Sequence, residues 1–178
     1  MLMAAVTIMA GVPAAQALTG YIIEMDNFQD TYYGEAWNYT SAGYPVLVNA
    51  AADVYYNLTG LQAGQLNGFT FTGSDMAGGG SYLAAQHSGI YKLSAHVSFS
   101  ATATGGQYGI GIFRNFAPAP NRDCYARVGG TTAVTSVPIA CIISMNAGDK
   151  INLQYDDETN PPKNITIYTA NMNLVRIG

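Results

Sequence analysis

Two histidines, His87 and His96, are the residues of this sequence best suited to proton transfer, because an imidazole changes its charge near neutral pH. Neither has a serine nucleophile or a carboxylate partner close by in sequence, as a general base would need. For His96 a strand position that faces solvent or a subunit interface is the preferred interpretation. We therefore expect no catalytic residue, and we predict that the chain is not an enzyme.

Recognisable catalytic and phosphate-binding patterns do not occur in the sequence. It has neither the G-x-S-x-G pattern of a serine hydrolase nor the H-E-x-x-H pattern of a zinc protease. Gly78-Gly79-Gly80 is not followed by the lysine and helix that would cradle a phosphate. No cofactor is predicted.

Carboxylates at Asp149, Asp156, Asp157 and Glu158 could supply oxygen ligands to Ca²⁺, which prefers such groups in flexible loops. Their spacing does not match an EF-hand loop. We favour a solvated acidic loop over a calcium site, and no metal site is predicted.

Cys124 and Cys141 have no further Cys or His at the spacing of a metal site. If their strands pair, the two could form a disulfide. Two buried thiols that act as small apolar side chains are the preferred interpretation. The cellular compartment stays open on this evidence.

Charge and composition limit the range of partners. The chain has seven Lys and Arg, a formal net charge of −4, 49% hydrophobic residues and 10% charged residues. So few basic groups argue against binding a nucleic-acid backbone. Soluble domains usually carry about 25% charged residues, so part of this surface is expected to be covered, as subunit packing would do.

The first eighteen residues contain no charge. They are fewer than the roughly 20 apolar residues of a spanning helix, and Gly11 and Pro13 interrupt them. We predict that residues 1–18 form an arm docked on a neighbouring subunit or a larger particle. Since Ala15-Gln16-Ala17 imitates a signal cleavage site, a signal-like or membrane-lying peptide is the alternative. The predicted attachment residues are Leu2, Met3, Val6, Ile8, Met9 and Val12.

Residues 19–52 form a transition segment rich in aromatic side chains but poor in aliphatic ones. Such a segment is unlikely to build a core alone, because Tyr and Trp favour places with one buried and one wet side. Packing at an interface and packing on the same subunit are both retained. Its aromatic residues include Tyr32, Tyr33, Trp37, Tyr39 and Tyr44.

From residue 53 onward the sequence has the period of β-strands and no helical period. In the segment 91–99, for example, Tyr91, Leu93 and Val97 share one face with Ala95 and Phe99. Short strands at this spacing predict an all-β jelly-roll sandwich of about 8–10 antiparallel strands, preceded by the extended N-terminal arm. The predicted strands are 53–58, 68–73, 80–85, 89–101, 107–115, 122–128, 132–144, 150–155 and 164–177.

One predicted strand alternates small with apolar residues, as where another backbone approaches closely. Gly109 and Gly111 are its small positions. The predicted trimer or close-packing residues are Tyr108, Ile110, Ile112 and Phe113.

Three Asn-x-Thr sequences occur, at Asn38, Asn57 and Asn164. This pattern arises easily by chance in a chain rich in Asn and Thr, and it matters only for a chain secreted by a eukaryote.

The order of local patterns over residues 53–178 resembles the C1q/TNF-like trimeric jelly rolls. In that family a Gly-aromatic turn opens a long central strand, a strand ending in Arg-Asn follows, and a Gly-Asp turn joins two later strands. The closing strand differs, with Tyr168-Thr169-Ala170 in place of a Phe-x-Gly step, and no collagen-like stalk precedes the domain, which favours viral spike and decoration proteins over the animal branches. The matching segments are 89–99, 108–115, 137–145, 147–149, 151–153 and 165–177.

The resemblance implies a homotrimer that serves a structural or binding role. The favoured prediction is a virion structural protein, a trimeric capsid decoration or head-fibre protein of phage type that is held on the capsid exterior by its arm. Its partners would be its own copies and the major capsid or other virion proteins, without a membrane span. A receptor- or glycan-binding tip of a viral fibre, or a secreted C1q-like binding module located outside the cell, is the alternative, and an enzyme on a jelly roll is the least supported.

Overall fold

A computed structural model describes residues 31–39, 54–73, 80–116, 122–159 and 164–178 of the chain. In this part the regular structure is all β-strand, so no described helix is long and apolar enough to cross a membrane. The strands are β1 (Tyr33–Tyr39), β2 (Tyr56–Asn57), β3 (Gln62–Asn67), β4 (Phe69–Thr72), β5 (Tyr82–Ala85), β6 (Gly89–Ala101), β7 (Gln107–Arg114), β8 (Arg122–Gly129), β9 (Thr135–Met145), β10 (Lys150–Asp157) and β11 (Ile165–Arg176).

The strands form two antiparallel sheets, which confirms the all-β jelly-roll prediction. The five-stranded sheet has the order β3-β1-β11-β6-β9. The six-stranded sheet has the order β4-β5-β10-β7-β8, and β2 pairs with β10 beside this path. Strands that follow one another in sequence thus often lie in different sheets, as a jelly roll requires.

The core lies between the two sheets and is built by alternate residues of the long strands. In β6 the predicted inward side chains are Tyr91, Leu93, Ala95, Val97 and Phe99, and all five are buried. The six-stranded sheet contributes buried side chains of β7 and β10 to the same cluster. The period-two pattern of the sequence therefore identified the core side of β6 correctly.

Strand β1 was not predicted, although it holds a central position in the five-stranded sheet. It pairs with β11 from Tyr33↔Val175 to Tyr39↔Thr169, and with β3 on its other side. Strand β3, which was also missed, is an edge strand. Since β1 lies within the transition segment 19–52, the jelly roll begins before residue 53, and this part of the segment packs on its own subunit.

The two cysteines are joined, which corrects the preference for two buried thiols. A disulfide links Cys124 of β8 to Cys141 of β9, with the Cα atoms 6.0 Å apart. These strands do not pair with each other. Each is the last strand of its own sheet on the same side of the sandwich, so the disulfide ties the two sheets together along one edge.

Strand β9 carries a proline at this edge of the five-stranded sheet. Pro138 lies opposite His96 of β6, the neighbour of β9 in the sheet. Because proline has no backbone N–H, it is tolerated in edge strands and disfavoured inside a sheet. Its position is consistent with the edge placement of β9.

Candidate interaction face

Strand β1 presents its aromatic side chains outward, on the side of the five-stranded sheet that faces away from the core. Tyr33, Trp37 and Tyr39 are 38%, 40% and 68% exposed. The alternate residues Gly34, Ala36 and Asn38 point inward, are small or polar, and are buried. The Asn38 amide donates a hydrogen bond to the carbonyl oxygen of Gly60. The usual pattern, with large apolar residues inside, is therefore reversed in this strand.

The neighbouring strands extend this surface, which we call the outer face: the outward residues of β1, β11, β6 and β9. We call a set of residues that lie opposite one another across these strands a rung. The rung through Trp37 continues to Asn171, His96 and Pro138. The rung through Tyr33 passes through Val175 and Lys92 and ends at Ile142, which is 63% exposed. The outer face thus combines large apolar groups with amides and hydroxyls.

Charge is nearly absent from the outer face. Glu35 and Lys92 are the two charged residues at its outward positions, and both belong to rungs other than that of Trp37. Elsewhere the positions hold uncharged groups, such as Ser98 and Ser136, whose hydroxyls are hydrogen-bonded at 2.9 Å. The outer face is thus one surface of the described residues with little charge.

The close-packing residues predicted in β7 lie elsewhere. Tyr108, Ile110, Ile112 and Phe113 have no exposed surface within a single subunit. The first three belong to the core between the sheets, while Phe113 packs against Tyr55 with ring centroids 5.1 Å apart. These four residues are internal to the single chain, so none of them lies on its surface.

Tyr125 covers the glycines of β7. A Cβ atom at Gly109 would collide with the Tyr125 hydroxyl and an Asp156 carboxylate oxygen, and one at Gly111 would lie 2.7 Å from the carbonyl oxygen of Cys124. The close approach predicted from the alternation is therefore made by a tyrosine side chain and by the backbone of β8. We expect larger residues at either position to be destabilising.

The Tyr125 hydroxyl is fixed by a polar cluster on this side of the six-stranded sheet. It lies 3.0 Å from Asp156 Oδ1 and 2.8 Å from Glu158 Oε1, and the Arg127 Nε also donates to Glu158 Oε1 at 2.8 Å. Burial, followed by the hydrogen bond to Glu158 and the charge of Asp156, raises the pKa of Tyr125 well above its ordinary value. The hydroxyl thus keeps its proton at physiological pH and acts as a hydrogen-bond donor.

Asp156 and Asp157 are not in a solvated loop, which corrects that expectation for these two residues, while the partly exposed Asp149 and Glu158 lie just before and just after β10. Asp156 and Asp157 end β10 and are buried. Asp149 accepts hydrogen bonds from Asn115 and from the backbone of Asn146, both at 2.9 Å. In the described ranges no three His, Cys, Asp or Glu side chains are grouped as metal ligands would be.

The two histidines lie in different surroundings. His87 is exposed and stacks on Tyr32, with the ring centroids 3.9 Å apart. His96 is exposed on the outer face, in agreement with the preferred interpretation. The structure does not bring the two histidines together with a nucleophile among the residues it describes.

Two of the three Asn-x-Thr asparagines are engaged in internal contacts. Asn38 is buried, and Asn57 accepts a 2.8 Å hydrogen bond from the Asn152 amide. Asn164 is partly exposed just before β11. The predicted attachment residues of the arm, from Leu2 to Val12, lie outside the described residues.

Two antiparallel sheets in this strand order define a jelly roll, and its likeness to solved structures is to the TNF-like type. The chain resembles Eiger TNF from S. frugiperda with a TM-score of 0.57 and 11% identity, over 83% of this chain and 93% of that one. It also resembles the crystal structure of murine APRIL at pH 8.0. The TM-score is 0.54 and the identity 15%, over 83% of this chain and 100% of that one. At this identity the likeness supports the fold. Neither a protein-family model nor a curated protein matches the chain.

Proposed function

We propose that this protein is a non-catalytic module that assembles as a homotrimer through its outer face and acts by binding. The observation that carries the proposal is the outer face itself: aromatic and aliphatic side chains on a flat sheet with little charge. Cores of subunit interfaces are enriched in aromatic groups and depleted of charge. The trimer is the assembly that the C1q/TNF-like sequence resemblance implies.

The exposed side chains indicate why covering this face would be favourable. Full burial of a large apolar side chain contributes about 1.5–3 kcal/mol, and partial burial contributes in proportion to the area removed from water. Trp37 and Tyr39 on β1 are joined at the other side of the sheet by Ile142. Several such groups on one surface can offset the loss of freedom that association entails.

Assembly can be tested by light scattering of the full chain on a size-exclusion column, where we expect a trimer at micromolar concentration. Trp37→Glu places a charge in the middle of β1 on the outer face and should give monomers. Val54→Glu is the matched control, because Val54 is 42% exposed in the segment just before β2, which pairs with β10 of the other sheet. A monomeric wild type, or a trimeric Trp37→Glu variant, would contradict the proposal.

The protein contains one tryptophan, which provides a second measurement of the same event. Trp37 lies 40% exposed on the outer face. Its emission should move to shorter wavelength when the face is covered and to longer wavelength when the protein is diluted below its dissociation constant. An emission maximum that does not change with oligomeric state would place the interface elsewhere.

Within this class, we favour a virion structural protein that is anchored to the capsid exterior by residues 1–18. Its support comes from the sequence, since an uncharged segment with six large apolar residues needs a surface to cover it. The jelly roll then projects from the particle or clamps neighbouring capsid proteins.

Deleting residues 1–18 should leave the jelly roll folded and abolish attachment to the particle. The described strands begin at Tyr33, so they should not need the arm. Thermal melting reports on the domain, and sedimentation with undecorated capsids reports on attachment. Equal binding by truncated and full-length protein would rule out the arm as the anchor.

A receptor- or glycan-binding module is the second candidate, and the same face favours it. Tyr33, Trp37 and Tyr39 lie beside the amides of Asn171 and Asn173, and sugar sites combine aromatic faces with placed polar groups. A soluble glycan that shifts Trp37 emission and is bound by monomers would favour this candidate over assembly through the outer face.

A further inference from the structure

His96 occupies an interior position of the outer face. Its neighbours across the sheet are Asn171 of β11 and Pro138 of β9. Along β6 the adjacent outward residues are Ser94 and Ser98. Each of these neighbours is uncharged, so the imidazole is surrounded by amide, hydroxyl and aliphatic groups.

The other charged and titratable groups of the outer face are few and lie on other rungs. Strand β1 contributes Glu35, in the rung of Asn173 and Ser94, and the phenols of Tyr33 and Tyr39. Strand β6 contributes Lys92, in the rung of Val175 and Ile142. At the outward positions of β9 there is no charged residue.

The outward positions of β11 also lack a charged residue, although they include the phenol of Tyr168. No carboxylate therefore faces His96 from β6, β9 or β11, and the nearest one on the face is Glu35, on β1 in an adjacent rung. A protonated His96 would lack a partner on its own sheet. Histidine is also the residue type whose charge changes between pH 5 and 8, whereas carboxylates and ammonium groups ordinarily do not change charge in that range.

We propose that association through the outer face is controlled by pH, with His96 as the group that responds. This inference rests on the proposed function, since it requires that other copies of the chain cover the face. A neutral imidazole can be covered at little cost, whereas burying an unpaired charge is strongly unfavourable. Three copies would bring three such groups into one assembly.

The direction of the effect follows from proton linkage. Histidine side chains ordinarily gain a proton between pH 8 and pH 5, and covering an imidazole with uncharged groups disfavours its protonated form. Because the monomer then binds more protons than the assembly, lowering the pH shifts the equilibrium toward monomers. Association is therefore favoured at the upper end of the range in which histidines change charge, and it weakens as the pH falls through that range.

The experiment measures the oligomeric state of the full chain by light scattering over a concentration series at pH 7.5 and pH 5.5. For wild type we expect trimers at pH 7.5 and a shift toward monomers at pH 5.5, by about tenfold in the association constant for each histidine covered. His96→Gln should abolish most of this difference between the two pH values. His87→Gln is the matched control and should respond as wild type does, because His87 stacks on Tyr32 outside the outer face.

His96→Arg supplies a permanent charge and keeps the test decisive if His96→Gln assembles poorly. It should be monomeric at both pH values, while melting curves show that it is folded. Wild-type monomers at pH 7.5 would refute the proposed function. Wild-type trimers that persist at pH 5.5, or a pH response that His87→Gln removes and His96→Gln retains, would refute the role of His96 and leave the proposed function standing.

Discussion

Valine at Gly109 or Gly111 is expected to lower the free energy of unfolding by about 1–3 kcal/mol, the usual cost of overpacking a filled site. At Gly111 the added Cβ would lie 2.7 Å from the carbonyl oxygen of Cys124 and 2.8 Å from the buried Phe113 ring. A backbone carbonyl in a paired strand cannot move without disturbing the ladder. At Gly109 the obstacle is Tyr125, whose hydroxyl is held by Asp156 and Glu158.

Gly129→Val is the matched control, because Gly129 lies in the adjacent strand β8 and a Cβ there would meet nothing within 4 Å. Urea unfolding of the three variants measures the difference. We expect Gly129→Val to remain within about 0.5 kcal/mol of wild type. Equal stability of Gly109→Val, Gly111→Val and wild type would show that Tyr125 and β8 move aside at no cost.

Removing the disulfide is expected to cost about 3 kcal/mol of stability. The bond closes a loop with a sequence separation of 17 residues between Cys124 and Cys141, and the chain-entropy model assigns about 3 kcal/mol to a loop of about this length. The variant is the double substitution Cys124→Ala and Cys141→Ala, which leaves no unpaired thiol. Urea unfolding compares it with the oxidised wild type.

Wild type treated with a reductant is the control, since it loses the bond and keeps both sulfur atoms. It should unfold at nearly the same urea concentration as the double variant. Because the bond joins the last strands of the two sheets, amide exchange should rise more in β8 and β9 than in the interior strands β6 and β10. Unchanged stability in both samples would contradict a structural role for the disulfide.

The sequence predicted the strands that follow the ordinary alternation and missed the two that do not. Strands β6 and β10 place large apolar residues on the core side, so a period of two reveals them. In β1 the inward residues include Ala36 and Asn38, while Trp37 and Tyr39 face outward. A reversed pattern has no apolar stripe to detect, and for β3 the edge position leaves mostly exposed polar residues.

The outer face could not be predicted as one surface, because it depends on the order of the strands in the sheet. Local sequence patterns do not contain that order. Alternation in β7 correctly suggested close packing around Gly109 and Gly111, but it cannot tell a neighbouring subunit from Tyr125 of the same chain. From the sequence, the aromatic residues of the transition segment are candidates for an interface. Their assignment to one flat surface required knowing that β1 lies beside β11. For the same reason, the pairing of Cys124 with Cys141 could be raised from sequence but not decided.

Pro138 limits how copies of this chain can join. An exposed edge strand offers a row of free N–H and C=O groups, onto which a strand from another molecule can add, and repetition of that step leads to fibrils. Proline removes one donor from the β9 edge, and the disulfide to β8 fastens that edge to the other sheet. Growth by strand addition is therefore hindered on this side of the sandwich, whereas the association proposed through the outer face uses side-chain contact and does not need this edge.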